Sequence, residues 1–426
     1  MTRLSVLNPA TEQPIVELDE AGVEEADEAV ARAKAAFPAW RDVAPAARAA
    51  LLRKVATLVE ENAEELARIE SENVGKPISG ARAEVGMVAN VFHFYSGAVE
   101  KHYGDTIPVA GGVDMTFREP LGVVGLIVPW NFPLNIASWK LGPALACGNT
   151  VVLKPAELTP LSALRLKELM NEAGIPDGVV NVLVGKGSVV GQRLVEHPEV
   201  AKIGFTGSTE VGREVMKGAA GTIKRVTLEL GGKSANVIFE DAALDQAVEG
   251  IVNGIFFNQG HVCCAGSRLL IQESVADVVI GKLWERMGRL RLGDPLDKNT
   301  DVGAINSREQ LTRIQELVSA GEEEGALRRS VACELPERGW WFAPTIFTEV
   351  APAHRIAVEE IFGPVVSVLT FRTQAEAIEK ANNSRYGLAA GIWTDKGSKA
   401  FEVAAALQAG VVWQNTYNKF DPTSPM

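Results

Sequence analysis

The chain has few of the residues that build metal sites, disulfide frameworks or membrane spans. It contains four cysteines and five histidines among 426 residues, and neither set shows the spacing of metal ligands. No run of about 18 apolar residues occurs, and the N-terminal stretch lacks an apolar signal core. We therefore predict no metal site, no membrane association and a reduced, cytoplasmic setting.

Basic residues are also fewer than acidic ones. The 42 basic residues are outnumbered by 54 acidic ones, which gives a net charge of -12. Nothing in this balance provides the basic surface that neutralises a phosphate backbone, so we expect no nucleic-acid partner. A hydrophobic content of 46% in a chain of this length predicts a globular protein of two or three domains.

Helical and hairpin patterns precede the most regular part of the sequence. The stretch 19–40 is rich in Ala and Glu, and apolar residues recur at helical spacing in 45–76, which predicts one packing helix in the first stretch and one or two in the second. The stretch 107–122 alternates and contains Pro and Gly-Gly, which predicts a β-hairpin. The Glu/Arg-rich stretch 321–339 is expected to form a surface loop or a short hairpin.

From Val123 onward, strand and helix patterns alternate. Continuous apolar runs, typical of strands buried on both faces of a parallel sheet, are VVGLIVPW, NTVVLKP, VVNVLVG and VAKIGFTG. Helical segments between them cover 134–147, 161–173 and 187–197. This alternation predicts a doubly wound α/β sheet, whose ligands bind at the carboxyl ends of the strands. A second α/β region follows, with helices at 244–257, 275–290 and 374–383.

The stretch GIFFNQGHVCCAGSR, residues 254–268, carries the two adjacent cysteines Cys263 and Cys264. They lie between a turn-rich NQG and a small-residue AGS, where a reactant can approach a thiol closely. A catalytic thiol is one interpretation of this pattern. A buried structural cysteine is the alternative.

Two further segments have the composition of a nucleotide site. The stretch GFTGSTEVG, residues 204–212, follows a strand and opens a helix, and such a helix N-terminus suits a diphosphate; the alternative is a glycine-rich turn that permits close packing. Lys154 and Glu157 follow a buried strand, where a carboxylate can accept the hydroxyls of a ribose. A surface ion pair is the alternative interpretation of these two residues.

Glu229 and Asn131 are candidates for chemistry beside the thiol. Glu229 lies between two leucines and before two glycines, so it is either a general base with a raised pKa or a paired buried ion. Asn131 ends a strand after Pro-Trp, where its amide could donate to an oxyanion or simply form a turn.

Six of these motifs occur together in the order and spacing of one family. The sequence, from about Asn8 to its end, resembles the aldehyde dehydrogenase superfamily. The motifs that carry the resemblance are PWNFP (129–133), LKPAE (153–157), GFTGSTEVG (204–212), LELGGKS (228–234), FNQGHVCCAGSR (257–268) and EEIFGPV (359–365).

The resemblance implies a role for each matching residue. Cys263 corresponds to the nucleophile, Glu229 to the general base and Asn131 to the oxyanion donor. Lys154 and Glu157 correspond to adenine-ribose contacts, Ser208 to a diphosphate contact, and Glu360 and Phe362 to the holders of the nicotinamide ribose. Further contacts expected for the cofactor NAD are Ile127, Pro129, Trp130, Gly187, Gly191, Phe205, Gly207, Leu230 and Gly231.

The resemblance also implies an α/β fold: a Rossmann-like cofactor domain, an α/β catalytic domain and a protruding β-hairpin. We expect the cofactor domain in 1–100 and 121–232, the oligomerisation hairpin in 101–120 and the catalytic domain in 233–426. The family's C-terminal loop and strand, and a short N-terminal strand pair, are expected to be missing. We accordingly expect a homo-oligomer, with a dimer or a mixed, aggregation-prone population in place of a regular tetramer.

The activity that the resemblance implies is oxidation of an aldehyde to a carboxylic acid with NAD, through a thiohemiacetal and a thioester on the cysteine. The alternatives are a thiol esterase that needs no cofactor and a catalytically weak, truncated relative. His261 stands where the family usually has Gln. The particular small-molecule aldehyde is not specified by the expected pocket residues Phe132, Asn135, Ile136, Trp139 and Phe257.

Overall fold

The computed structural model of the chain describes residues 3–424 and Met426. The described residues form two compact units. The first contains the chain up to Leu7, Pro14–Asn73 and Ala81–Glu229, and the second contains Asn8–Gln13, Val74–Gly80 and the chain from Leu230 onward. Within the described residues, no helix combines the length and the apolar character that crossing a bilayer requires.

The strands and helices of the described residues are numbered in chain order. The strands are β1 (Arg3–Asn8), β2 (Gln13–Asp19), β3 (Thr106–Val109), β4 (Gly112–Met115), β5 (Val123–Ile127), β6 (Thr150–Lys154), β7 (Val180–Val182), β8 (Val200–Thr206), β9 (Arg225–Glu229), β10 (Ala235–Ile238), β11 (Arg268–Gln272), β12 (Leu327–Ser330), β13 (Thr345–Thr348), β14 (Val365–Phe371), β15 (Ala389–Trp393) and β16 (Val411–Gln414). The helices are α1 (Val23–Arg41), α2 (Pro45–Glu61), α3 (Ala63–Val74), α4 (Ile78–Ala98), α5 (Pro133–Ala146), α6 (Leu161–Ala173), α7 (Gln192–Glu196), α8 (Thr209–Ala220), α9 (Leu244–Ile255), α10 (Ala276–Met287), α11 (Arg308–Glu323), α12 (Arg355–Val358), α13 (Gln374–Asn382) and α14 (Gly397–Ala406).

The first unit is built on a five-stranded parallel sheet in the order β7-β6-β5-β8-β9. Its central strands β5 and β6 are buried at every position, as the continuous apolar runs predicted. The predicted doubly wound α/β arrangement is confirmed. The carboxyl ends of β5, β6 and β8 lie at one edge of the sheet, since the strands run parallel.

The second unit contains a seven-stranded sheet in the order β12-β13-β14-β11-β10-β15-β16. Within this sheet, as far as the described residues go, only β12 runs antiparallel to its neighbour. One side of the sheet packs into an apolar core that includes Val237, Phe239, Leu270, Phe371 and Ile392. In the stretch expected to be a loop or short hairpin, residues 327–330 instead extend this sheet as an edge strand.

Two expectations about the chain's N-terminal region are wrong. A short strand pair is present, because β1 and β2 form a two-stranded sheet. Asn8 organises the turn between them: its carbonyl oxygen accepts from the N–H of Glu12 at 2.8 Å and its side-chain oxygen accepts from that of Ala10 at 2.9 Å. The first helix begins at Val23 rather than Asp19, because Gly22 forms its N-cap and the Glu25 carboxylate accepts from the Gly22 N–H at 2.8 Å.

The helix expected over 187–197 has an irregular first half. Residues Gly187–Gly191 form a π-helical turn that continues into α7. The Glu157 carboxylate accepts a hydrogen bond from the N–H of Gly187 at 3.0 Å, so the turn is fixed from outside at its first residue. Single π-turns occur frequently at functional sites.

The predicted hairpin is formed by the antiparallel strands β3 and β4. Its apolar side chains are exposed rather than packed: the exposed fractions are 43% for Ile107, 50% for Val109, 63% for Val113 and 58% for Met115. An apolar hairpin of this kind is available for contact with another protein surface.

Candidate active site

The two adjacent cysteines occupy the centre of a β-turn in the second unit. The Ala265 N–H donates to the carbonyl oxygen of Val262 at 3.0 Å, which closes the turn around Cys263 and Cys264. Cys263 is half-buried, whereas Cys264 is 1% exposed. A hydrogen bond with Cys263, together with burial, raises the pKa of Cys264 well above its usual range. Cys264 therefore stays a protonated thiol, and Cys263 is the cysteine that a reactant can reach.

Glycines allow the backbone to approach this turn closely. A Cβ atom added at Gly232 would lie 2.2 Å from the carbonyl oxygen of Cys263, so only glycine fits there. Gly260 has φ +75°, and a Cβ atom there would lie 2.1 Å from the carbonyl oxygen of Gly363. The segment before the thiol is thus held in a conformation that favours glycine.

Glu229 is the last residue of β9 in the first unit, and it is half-buried. Burial raises the pKa of its carboxyl group, and the nearby positive charge of Lys140 on α5 opposes this shift. Burial lowers the pKa of Lys140 to about 8, against the stabilising charge of Glu229. The pair supplies a carboxylate that can take up a proton more readily than an exposed glutamate can.

Asn131 lies between β5 and α5 and is 3% exposed. The helix that follows is entered through Pro133, which suits a first helical turn because it has no N–H to leave unpaired. The carboxylate of the buried Glu70 accepts from the N–H of Leu134 at 3.3 Å, which fixes the start of the helix. Three of the expected pocket residues, Asn135, Ile136 and Trp139, recur at helical spacing and share one stripe of α5. A fourth, Phe132, is the N-cap of this helix.

Lys154 and Glu157 meet at the carboxyl end of β6. The Lys154 ammonium donates to the Glu157 carboxylate at 2.7 Å, and the other carboxylate oxygen accepts from the Gly187 N–H at 3.0 Å. Burial alone would raise the pKa of Glu157, but the charge and hydrogen bond of Lys154 and the N–H of Gly187 outweigh it and lower the pKa. Glu157 is therefore an ionised acceptor at neutral pH, beside a backbone without side chains at Gly187 and Gly191.

The glycine-rich motif 204–212 leads from β8 into α8, as predicted. Ser208 is the N-cap of this helix, and its hydroxyl accepts from the Val211 N–H at 3.2 Å. A Cβ atom at Gly207 would lie 2.5 Å from the ring of Phe205, so glycine is needed beside the ring. The N-terminus of a 12-residue helix carries the partial positive charge that favours a phosphate.

Glu360 and Phe362 lie in the second unit next to the Gly-Gly of the LELGGKS motif. The Gly232 N–H donates to the Glu360 carboxylate at 3.0 Å, and a Cβ atom at Gly231 would lie 2.3 Å from that carboxylate. Phe362 has φ +55°, a left-handed conformation that costs energy for a bulky residue. The side-chain amide of Gln310 holds this conformation by donating to the carbonyl oxygens of Ile361 and Phe362 at 3.1 and 2.9 Å.

His261 is fully buried two residues before Cys263. Its ring stacks on that of Phe362, with centroids 5.9 Å apart and planes 16° apart. Burial, with a smaller contribution from the charge of Lys76, lowers the pKa of His261 to about 3. The imidazole is therefore neutral at physiological pH and cannot supply a positive charge to a neighbouring thiolate.

Four residues of interest were not singled out from the sequence. They are Lys140 beside Glu229, Gln310 beneath Phe362, the buried Lys233 and the buried Tyr417, whose hydroxyl donates to the Cys264 carbonyl at 2.9 Å. Lys140 could have been suspected from the sequence, because it is a single lysine within an otherwise apolar helix. The other contacts join residues far apart in the chain, and no local pattern marks them.

Comparisons with known proteins identify the family of this chain. The model of the "Aldehyde dehydrogenase family" matches residues 1–426. Retinal dehydrogenase 2 of Homo sapiens is 46% identical over 99% of this chain and 82% of its own length. The crystal structure of an NAD-dependent aldehyde dehydrogenase from Sinorhizobium meliloti has a TM-score of 0.98 and 41% identity, over 100% of this chain and 86% of that one.

A second solved structure contains the cofactor. PnpE in complex with nicotinamide adenine dinucleotide has a TM-score of 0.98 and 43% identity, over 100% of this chain and 88% of that chain. The family and the fold expected from the six motifs are thus confirmed. The chain belongs to the aldehyde dehydrogenase family, whose members oxidise an aldehyde to a carboxylic acid.

Proposed function

We propose that this NAD-dependent aldehyde dehydrogenase uses Cys263 as its nucleophile, Asn131 and the Cys263 N–H as oxyanion donors, and Glu229 as its general base. The observation that carries the proposal is the half-buried Cys263 thiol at the centre of a closed turn, next to a Cys264 thiol that stays protonated. In this proposal the first unit is the cofactor domain and the second is the catalytic domain.

The residues of both units fit NAD. In the first unit, the ionised Glu157 suits the two ribose hydroxyls, and the N-terminus of α8 suits the diphosphate. Gly187, Gly191 and Gly207 have no side chains, so the cofactor can approach the backbone closely at these positions. In the second unit, Glu360 is fixed by the Gly232 N–H and suits the nicotinamide ribose. Further proposed contacts are Ile127, Pro129, Trp130, Lys154, Phe205, Ser208, Leu230, Gly231 and Phe362.

The acylation half of the reaction depends on the thiol and the two oxyanion donors. The Cys263 thiolate attacks the aldehyde carbon and forms a C–S bond, while the carbonyl oxygen becomes an oxyanion. The Asn131 amide and the Cys263 N–H donate to that oxyanion. When bound, NAD accepts the hydride that leaves this carbon. Cys263 then carries a thioester.

The deacylation half depends on Glu229. Its carboxylate takes a proton from water, and the resulting hydroxide adds to the thioester carbon. The C–S bond breaks, the carboxylic acid leaves and Cys263 returns as a thiolate. Because burial raises the pKa of Glu229, the carboxylate is a better proton acceptor than an exposed glutamate.

A panel of aldehydes with NAD tests the proposal and reveals the substrate class. The start of α5 offers the apolar Phe132 at its N-cap and Ile136 and Trp139 in the helix, beside the amide of Asn135. The panel should therefore include short aliphatic, aromatic, amino- and long polyene aldehydes. Appearance of NADH with matching amounts of carboxylic acid is expected. Ester cleavage without NAD, together with no NADH from any aldehyde, would favour a thiol esterase.

NAD should be preferred over NADP. The ionised Glu157 would lie against the 2′-phosphate of NADP, and at an effective dielectric constant near 20 two unit charges about 4 Å apart repel by roughly 4 kcal/mol. Relaxation reduces this value, so we expect at least a tenfold higher kcat/KM with NAD. Glu157→Gln should lower the ratio of kcat/KM with NAD to kcat/KM with NADP, whereas Glu168→Gln on the exposed face of α6 should leave this ratio unchanged. Equal kcat/KM values for both cofactors in the unaltered enzyme would contradict the proposed role of Glu157.

Removing the charge of Lys140 should change the pH dependence of turnover. Burial raises the pKa of Glu229 and Lys140 opposes that rise, so Lys140→Met should raise the pKa further. Glu229 must be deprotonated to act as a base, and turnover is lost as the pH falls through its pKa. The acidic limb of the kcat profile should therefore move to higher pH. Lys217→Met, at an exposed lysine on α8, is the control, and an acidic limb that stays in place in Lys140→Met would contradict the coupling.

The exposed apolar hairpin β3–β4 supports self-association as a homo-oligomer, with a dimer proposed. Val113→Asp and Met115→Asp together should shift the population toward the monomer, because they place charge on a surface that association would bury. Light scattering during size-exclusion chromatography measures the change.

The described cysteines are all free, which supports a reduced, cytoplasmic compartment that cell fractionation can test.

A further inference from the structure

Tyr417 lies in the segment after β16 and is 1% exposed. Its ring packs among three glycines of the second unit. Cβ atoms added at Gly254, Gly266 and Gly391 would lie 3.2, 3.2 and 2.6 Å from ring atoms. The ring therefore fills a space that other residues at these positions would close.

The Tyr417 hydroxyl points at the turn that carries the two cysteines. It donates to the carbonyl oxygen of Cys264 at 2.9 Å. Burial raises the pKa of Tyr417 well above its usual range, so the hydroxyl stays protonated and remains a donor throughout the working pH range.

The hydrogen bond completes the fixation of the turn. The Ala265 N–H closes the turn onto Val262 at 3.0 Å, and the Cys263 carbonyl is packed against Gly232. The Cys264 carbonyl and the Ala265 N–H belong to the same planar peptide group, so this peptide is held at both ends, through its N–H by Val262 and through its carbonyl by Tyr417. The peptides on both sides of Cys264 are thus restrained, and the direction of the Cys263 side chain follows from the backbone.

Tyr417 is itself held rigidly. The Asn253 side-chain amide on α9 donates to the Tyr417 carbonyl oxygen at 3.1 Å, and the Asn418 amide donates to the Asn253 carbonyl oxygen at 2.9 Å. The Trp413 ring packs at a centroid distance of 4.8 Å. A donor anchored in this way can impose its position on the turn.

We propose that Tyr417 is a positioning residue for the nucleophile, because its hydroxyl holds the Cys264 carbonyl and so fixes the turn that presents the Cys263 thiol. This inference rests on the proposed role of Cys263. Tyr417 acts through the backbone and touches no reacting atom. Its effect should therefore appear in the step that forms the C–S bond and not in the binding of NAD.

Tyr417→Phe is the sharpest test, since it removes the hydroxyl and keeps the ring. We expect the rate of the first-turnover NADH burst to fall about tenfold, the scale of one well-placed hydrogen bond, while the KM for NAD stays within about twofold. Alkylation of Cys263 by iodoacetamide, located by peptide mass mapping, should slow by a similar factor. Tyr386→Phe is the matched control: it removes a hydroxyl that accepts an exposed hydrogen bond from Arg385, and it should change neither the burst rate, the KM for NAD nor the alkylation rate.

The same substitution made in a Cys264→Ala enzyme tests whether Tyr417 acts through the Cys264 backbone carbonyl or through the Cys264 thiol. In Cys264→Ala the carbonyl that Tyr417 holds is retained, so Tyr417→Phe should slow the burst by the same factor there. Loss of the effect in that background, or a burst and an alkylation rate like those of the unaltered enzyme, would overturn the inference. If Tyr417→Phe does not fold, the same measurements are made on Asn253→Ala, which removes the hydrogen bond to the Tyr417 carbonyl oxygen. We expect both the NADH burst and the alkylation of Cys263 to be slower in that variant.

The failure of the two proposals can be told apart. An active Cys263→Ala variant would refute the role of Cys263, whatever Tyr417→Phe does. An inactive Cys263→Ala variant together with an unchanged Tyr417→Phe would refute the positioning role alone.

Discussion

Replacing Cys263 with alanine should abolish aldehyde oxidation. The mechanism requires a C–S bond before hydride can leave, and alanine offers no atom to form it. We expect kcat to fall by roughly 10³-fold or more, the scale seen when the nucleophile of a covalent mechanism is removed. Both the burst and the steady-state rate of NADH formation should be lost, as measured by stopped-flow absorbance.

Cys264→Ala is the matched control for this variant. Cys264 lies in the same turn, but it is 1% exposed and its raised pKa keeps it a thiol. Most of the activity should therefore remain. An inactive Cys264→Ala enzyme beside an active Cys263→Ala enzyme would show that the nucleophile is the neighbouring residue.

Buried strands were the part of the fold most accessible from the sequence. Strands β5 and β6 are buried at every position because both of their faces are covered, and the apolar runs seen in the sequence are the direct result. The sequence did not reveal which strands lie next to one another in a sheet. β10 pairs with β15, where Asn236 faces Gly391, and no local pattern encodes a partner so distant in the chain.

Edge and terminal elements were harder to predict for a related reason. β1 and β12 are partly exposed along most of their length, so they lack the apolar signature of a central strand. The turn at Asn8 depends on one side chain hydrogen-bonding its own backbone, and such a turn is easily taken for an irregular segment.

In the candidate site, too, residues in local motifs could be predicted from the sequence, and contacts between distant residues could not. Cys263, Glu229, Asn131 and Glu157 stand in short motifs whose order carries the family resemblance, so they could be proposed from the sequence. Lys140 stands out as the single lysine of a largely apolar helix, but the sequence does not show that its charge opposes the raised pKa of Glu229. Tyr417 matters through one hydroxyl and a remote carbonyl, and only a folded chain brings these together.

Glu229→Gln should separate the two halves of the reaction. Glutamine has nearly the size of glutamate, so the site keeps its shape, but the amide cannot accept a proton from water. Acylation should proceed and deacylation should stop. We expect a burst of about one NADH per site, followed by a steady-state rate lowered by about 10²- to 10⁴-fold, and a thioester on Cys263 detectable by intact-protein mass spectrometry.

The control is Glu214→Gln, at an exposed glutamate of α8 paired with Lys217, which should leave both phases intact. If Glu229→Gln abolishes the burst as well as the steady-state rate while keeping its thermal unfolding midpoint, the carboxylate acts before or during acylation, and the assignment to water activation is wrong. Restoration of the steady-state rate by a small added nucleophile, such as hydroxylamine acting on the thioester, would locate the block at deacylation, because a strong nucleophile needs no general base.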